Sequence, residues 1–403
     1  MTSEVDEYKL NRCLKIYPIF YGLSADLLFW IAINTLFLTT VKGLDPSQIN
    51  SINALATGAG IIFQLFLVKI VRKIGNKNSV VLGTILLFLS ALLNTVSTQY
   101  VGFLIAEICY AVGFIFARMD NVILIKNLNY LGKEEDYIKL QTRGLTIYAF
   151  ITMVLSIVAG LLFNVNPYIP MALCLLVCFI DIFLARTFYE VPVDKKKEVK
   201  QKSRVKLGKV VICMVLLYGL FYGMVACGQN NSKLFIQLNA QEFLPLDKVV
   251  VYMSIFIFIS RVCRLISNLS FIKVYDKLKN KTLFLLETLL CMSFALLLVG
   301  NFIGYNMCGI WVMAFGFFIY LIVRDPFDVY MKKILFKHSK EEVHDKIVNY
   351  IYLSRKVFTL IYGLIISMML INLSYVYVMV LLLLITASYI FLMLKIRGLL
   401  REH

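Results

Sequence analysis

Apolar residues run along this chain in stretches of about twenty, parted by short polar loops. About 20 mostly apolar residues in helical form cross the hydrocarbon core of a bilayer. On that measure the pattern predicts twelve helices. Six lie near 16–41, 50–70, 79–98, 101–126, 142–163 and 168–188. Six more lie near 210–237, 249–271, 282–301, 306–331, 347–371 and 375–395. The first run is too long for a signal peptide, and no small-residue cleavage site follows it. The expected fold class is all-α integral membrane.

The loops give an orientation. Lys9, Arg12 and Lys15 precede the first helix; Arg72, Lys73 and Lys77 follow the second. Lys133 and Lys139 follow the fourth, Lys273, Lys277, Lys279 and Lys281 the eighth, and Lys332, Lys333, Lys337 and Lys340 the tenth. Arg397 and Arg401 close the chain. The alternate loops KGLDPSQ, STQY, FNVNPY, GNFIGYN and INLSY are nearly free of basic residues, with Lys42 and Lys248 the main exceptions. Basic loops stay on the cytoplasmic side, so both termini are expected in the cytoplasm.

One segment interrupts the alternation. EVPVDKKKEVKQKSRVKLGK, Glu190 to Lys209, is charged and lacks apolar periodicity, as a solvated connector does. It divides the chain into an expected six-helix bundle over 1–188, a cytoplasmic linker over 189–209 and a second six-helix bundle over 210–403.

Composition agrees and excludes several functions. Hydrophobic residues make up 60% of the 403 and charged residues 16%, where a soluble domain carries roughly 25%. The formal charge of +17 sits in loops and forms no basic face interleaved with aromatics, so nucleic acid is not an expected partner. The nine cysteines show no metal or redox spacing; Cys174 and Cys178 are four apart, on one helical face. His338, His344 and His403 all lie outside the apolar runs. No metal site, cofactor or histidine relay is expected. No Gly-x-x-x-x-Gly-Lys-Ser/Thr loop occurs, which argues against ATP hydrolysis. No nucleophile–base constellation lies in the membrane, so the chain is not read as an enzyme.

The halves repeat. RKIGNKNSVVLGTILLFLSALL, from Arg72, aligns without a gap on DKLKNKTLFLLETLLCMSFALL, from Asp276. Lys73/Lys277, Asn76/Asn280, Lys77/Lys281 and Thr84/Thr288 are identical pairs, and Arg118 and Arg324 form a similar one. Two six-helix halves of the same orientation are parallel repeats, the architecture of alternating-access transporters with a site near the midplane. The loop after helix 2, VKIVRKIGNK, keeps Lys73, Gly75 and Lys77 of the signature Gly-x-x-x-Asp-Arg/Lys-x-Gly-x-Arg/Lys. Its second copy, IKVYDKLKNK, keeps Asp276, Lys277 and Lys281. On these residues the chain resembles the major facilitator superfamily over essentially its full length. Its opening GLSADLLFW is similar to helix 1 of a bacterial branch. The helix 5 motif of drug/proton antiporters and the Pro-Glu-Ser of sugar porters are absent.

The resemblance implies a cavity lined by helices 1, 4, 7 and 10, with helices 3, 6, 9 and 12 outside. It implies a functional monomer in a bacterial cytoplasmic membrane and a cytoplasmic gate of paired charges. Arg118, Asp120, Arg324, Asp325 and Asp328 are expected in the last turns of helices 4 and 10, and Arg355 early in helix 11. With Arg72, Lys73, Gly75, Lys77, Asp276, Lys277 and Lys281 they form the expected gate. Asp120 is expected to pair with Arg72, Lys73 or Lys77, and Asp276 with an arginine of helix 10 or 11. Arg264 and Glu287 are expected to pair with each other.

A charge at the bilayer centre costs about 2.5–3.5 kcal/mol on insertion scales and marks a functional position. Asp26, in YGLSADLLFW, has no basic residue within ten positions on either side. Arg261 in helix 8 lies at matching depth. Desolvation penalises a charged carboxyl, so Asp26 is the expected proton-exchanging group, with Arg261 as its ionic counterpart. Asp181 in helix 6 is ranked behind both. Glu107, Tyr110, Asn34, Trp311 and Tyr320 are further cavity candidates. YGLFYGMVACGQNNSKLF, from Tyr218, combines Gly219, Gly223 and Gly228 with Gln229, Asn230 and Asn231. That mixture is expected to loosen the outer half of helix 7, with the amides on substrate or capping a kink.

The expected function is secondary active transport of a small organic molecule, coupled to protons, with a slight lean to efflux. The alternatives are uptake of a nutrient or organic anion, and a non-transporting sensor on the same fold.

Overall fold

The computed structural model describes residues 7–133, 136–191, 209–278, 281–303, 306–337 and 344–401, and no strand occurs among them. The first half runs α1 (Glu7–Ser24), α2 (Trp30–Leu36) continuing into a π turn (Phe37–Val41), α3 (Pro46–Ile74) and α4 (Asn76–Val96). It goes on through α5 (Tyr100–Ala117), α6 (Asp120–Tyr130), α7 (Asp136–Val165) and α8 (Tyr168–Arg186). The second half is α9 (Lys209–Phe243), α10 (Leu246–Leu278), α11 (Thr282–Ile303), α12 (Met307–Lys337), α13 (His344–Asn372) and α14 (Tyr375–Arg401).

Among the described residues eleven stretches are long and apolar enough to cross a membrane, with α5 and α6 together making one of them. The protein is therefore a multi-pass membrane protein. The segment expected as a single first helix over 16–41 is two helices and a π turn. Conversely, α9 is one helix of 35 residues, so helix 7 does not break where its glycines and amides predicted.

The chain forms two compact units. The first is Met1–Phe37 with Leu55–Ser203; the second is Leu38–Ala54 with Arg204–His403. Leu38–Ala54, before the middle of the chain, groups with the second unit. The expected linker lies almost wholly outside the described residues.

Each unit repeats the same pairings. In the first, α1 packs on α7, α4 on α5, and α4 on α8. In the second, α9 packs on α13, α11 on α12, and α11 on α14. The shared Tyr-Gly-Leu fixes the register of the first pairing. A Cβ on Gly22 would stand 2.4 Å from the Ile147 side chain of α7; one on Gly219 would stand 1.8 Å from Ser354 Oγ of α13. Both glycines therefore serve close helix contact, not flexibility.

The core of the first unit gathers Tyr17, Phe20, Val80, Ile123, Leu128 and Phe188. Cys13 belongs to it and behaves as a small apolar side chain. The Phe20 and Phe188 rings meet edge to face at 4.8 Å, a favoured aromatic geometry.

In Leu38–Ala54 the start of α3 was written in its residues. Pro46 takes the first helical position, where its missing N–H costs nothing. Gln48 Oε1 accepts the Asp45 N–H at 3.0 Å, half of a capping box.

Candidate functional site

In the first unit the site is built on two interrupted helices. Between Ser24 and Trp30 short polar side chains bond the backbone in place of the helical ladder. Asp26 Oδ1 accepts the Leu27 N–H at 2.8 Å. Phe29 holds φ at +66°, a conformation that costs a non-glycine residue on the order of 1–3 kcal/mol. Burial holds it there: Phe29 is 9% exposed and Trp30 5%.

The carbonyl at the end of α1 has its own partner. Arg118 Nη2 donates to the Ser24 carbonyl at 2.7 Å and to Ser24 Oγ at 3.2 Å. A guanidinium there also meets the negative end of the helix dipole. Arg118 stands at the second interruption, between α5 and α6. Its Cζ lies 4.7 Å from the Tyr21 ring centre and 5.0 Å from that of Phe114. Its Nη1 lies 3.8 Å from Asp120 Oδ2.

Asp120 is fully buried, and its expected partners are corrected here. Among the described side chains it pairs with Arg118, not with Lys73 or Lys77; the Arg72 side chain is outside them. The reason is reach: the helix extends to Tyr130, so Arg118 lies about 18 Å from that end at 1.5 Å per residue. Neither residue is in a last turn.

Asp26 also reaches α5. Tyr110 O–H donates to Asp26 Oδ1 at 2.8 Å. Glu107 lies one turn away on α5, within electrostatic reach of Asp26, and accepts a long bond of 3.5 Å from Asn94 Nδ2. The structure thus gathers Asp26, Tyr110 and Glu107, three of the residues picked from sequence. Asp181, which had been ranked behind them because helix 6 was expected to face outward, lines one narrow cleft with Asp26, Ser24 and Thr84. Asn34 lies beyond the break and accepts its neighbour Thr35's N–H at 2.8 Å.

The signature loop keeps its geometry. Gly75 takes φ +86° with ψ 160°, a positive-φ extended conformation that glycine adopts freely. Glu190 then organises the start of α4. Its carboxylate accepts the Asn76 amide and, at 3.2 Å, the Lys77 N–H, and it pairs with Lys126 at 3.3 Å. A carboxylate at a helix N-terminus is favourable. Lys73, Lys277 and Lys281 are exposed. The side chains of Arg72, Asp276 and Asp328 lie outside the described residues.

The second unit gathers cations. Arg324 donates through Nη1 to Gln229 Oε1 and lies within electrostatic reach of Tyr222. Arg355 Cζ stands 4.2 Å from the Tyr222 ring centre. Tyr320 is fully buried against Phe294 and Phe317. Lys233 lies within electrostatic reach of Arg261. Because α12 continues to Lys337, Arg324 lies about 20 Å from that end, again not in a last turn. Arg264 does not take Glu287 as its partner. It grips Asp325 with Nε–Oδ2 at 2.5 Å and Nη2–Oδ1 at 3.1 Å, while Arg324 lies 3.9 Å from the same carboxylate.

The amides of α9 divide. Asn231 is fully buried; it donates to Asn50 Oδ1 at 3.1 Å and to the Cys227 carbonyl, and accepts from Tyr375 O–H at 3.2 Å. It is a structural knot of the second unit. Asn230 is exposed. Trp311 is 43% exposed and meets Tyr252 edge to face. Sequence reasoning passed over Ser24, Tyr21, Tyr222 and Lys233. Only Lys233, a lysine inside an apolar run, carried a signal of its own.

The sequence profile of the Major Facilitator Superfamily matches residues 19–335. No curated protein sequence matches the chain. Among solved structures, it is similar to the nucleoside transporter NupG, at 12% identity and TM-score 0.73, covering 96% of this chain and 98% of that one. It is similar to the inward-open xylose transporter XylE from E. coli at 13% identity and TM-score 0.67, with 95% of each chain covered. A bacterial homologue of the iron transporter ferroportin, in its inward-facing state, aligns at 15% identity and TM-score 0.64, over 96% of this chain and 99% of that one.

Proposed function

This chain belongs to the major facilitator superfamily and is a multi-pass membrane transport protein, and we propose that it is a proton-coupled secondary transporter of a small organic molecule whose coupling group is Asp26. The interruption of helix 1 carries this reading. Discontinuous helices in transporters leave backbone groups free to serve a binding site, and unsatisfied backbone is tolerated at membrane depth only where protein or water meets it. At this break a carboxylate holds one side, and Arg118 holds the carbonyl on the other. Tyr110 ties the carboxylate to α5. Protonating Asp26 weakens its acceptance of the Tyr110 and Leu27 donors, since hydrogen bonds to a charged acceptor are the stronger ones. A proton thereby changes what joins helix 1 to helix 4.

Purified protein in proteoliposomes under an imposed pH gradient tests the reading. Accumulation of at least one solute from a panel of nucleosides, sugars, amines and organic acids is expected. Saturable binding of a solute with no gradient-driven flux would make the chain a sensor on a transporter fold.

A further inference from the structure

We infer that the second unit holds an oxyanion site at Arg324 and Arg355, which takes the carboxylate or phosphate group of the transported molecule. This assignment rests on the transporter reading and gives it a substrate class.

Two guanidiniums meet around one phenol ring. Arg324 lies within electrostatic reach of Tyr222, and Arg355 stacks over the same ring at 4.2 Å. Tyr222 is 5% exposed. Both arginines also lie within electrostatic reach of Tyr320. The Tyr320 side chain is fully buried, yet its hydroxyl has no hydrogen-bond partner. An unpartnered buried hydroxyl costs about 1–3 kcal/mol, and here it stands where two positive groups converge.

Among the described side chains the charges do not balance locally. Asp325 is the acid that touches Arg324, but at 3.9 Å, while Arg264 holds the same carboxylate in a two-pronged grip. Arg355 has its contact with an aromatic face. Like charges in a low-dielectric interior are costly unless an opposite charge joins them. A planar guanidinium offers a rigid fork of donors that matches carboxylate and phosphate oxygens. Two forks, the Tyr320 hydroxyl and the Gln229 amide would together bind an oxyanion and leave the rest of the molecule free. A cationic substrate would add to the imbalance.

The test measures binding without flux, so that this site and the transporter reading can fail separately. The full chain in detergent is melted at fixed ionic strength, with sodium chloride replaced stepwise by sodium phosphate, succinate or benzoate. The expected result is a saturable rise in melting temperature for at least one of these salts, distinct from the linear rise that excluded salts give. Phosphate against the two carboxylates separates the sources of the oxyanion. Arg324→Gln and Arg355→Gln should each weaken the half-saturating concentration about tenfold or more, the scale of one hydrogen bond to a charged group. Tyr320→Phe removes one oxygen only and should weaken it about threefold or more, the scale of a neutral hydrogen bond; it serves where an arginine variant does not fold. Arg186→Gln, in the first unit, should leave it unchanged. No saturable effect of any oxyanion over chloride overturns the site, as does wild-type saturation in the folded variants.

Discussion

Helix 1 and helix 7 both carry Tyr-Gly-Leu, and in each the glycine packs against the corresponding neighbour, α7 or α13. From there they diverge. Directly after its Tyr-Gly-Leu, helix 1 ends at Ser24, two residues before Asp26. Helix 7 continues through Phe221, Tyr222 and Gly223 as part of a 35-residue helix. Helices 4 and 10 differ in the same sense. The first is interrupted at Arg118, whereas α12 runs through Arg324 and even Pro326 without a stop. The charges divide likewise. The first unit places Asp26, Glu107, Asp120 and Asp181 in its spans around Arg118; the second clusters Arg324, Arg355, Lys233 and Arg261. One duplicated plan has thus become a jointed acidic unit and a continuous basic one. On the proposed function, the first would serve the coupling proton and the second the anionic group of the substrate.

The largest effect expected from breaking this contrast is at Arg118. Arg118→Ala removes the donor to the Ser24 carbonyl and strands the buried Asp120. Losing one partner of a buried pair costs about 3–5 kcal/mol. The variant should show a large drop in melting temperature by fluorescence-detected chromatography. A melting point equal to wild type would mean that Arg118 does not hold the two interrupted helices together.

A smaller effect should distinguish the two Tyr-Gly-Leu sites. Gly219→Ala would push a methyl within 2.7 Å of the Ser354 backbone carbonyl carbon, which cannot turn away. Gly22→Ala meets the Ile147 side chain first, and its nearest backbone atom is at 3.4 Å. Overpacking costs about 1–3 kcal/mol; Gly219→Ala should sit at the upper end of that range and Gly22→Ala at the lower. Equal melting points would show that the two helices are gripped alike.

Much of the fold was legible because membrane spans must be apolar and their loops charged. The repeat was legible for the same reason, through polar matches such as Lys73/Lys277. The interruption of helix 1 was not. Asp26 stood out, but Tyr110 lies 84 residues beyond it and Arg118 lies 94 beyond Ser24, and only the packed unit brings them to the break. Helix 7 misled in the opposite direction. Its glycines looked like weak points, yet Gly219, Gly223 and Gly228 are filled by Ser354, Phe358 and Phe294. The full length of helices 4 and 10 was not legible, because they continue past their apolar stretches, through residues such as Asn127. Asn127 is fully buried, and its amide donates to the Tyr189 carbonyl at 2.8 Å.

The smallest expected effect concerns the signature loop. Gly75→Ala meets no neighbour, so its cost is conformational alone, on the order of 1–3 kcal/mol for a backbone region essentially confined to glycine. A modest fall in melting temperature with transport intact is the expected outcome. Loss of transport at unchanged stability would assign this glycine a moving part.

Asp26 carries the central claim, and one comparison tests it most directly. Asp26→Asn and wild-type protein are reconstituted at equal density, and two rates are measured on the solute identified in the gradient screen: accumulation driven by a pH gradient, and exchange at equal pH on both sides. The account predicts that Asp26→Asn loses accumulation and retains exchange. Accumulation at the wild-type level in Asp26→Asn would contradict it.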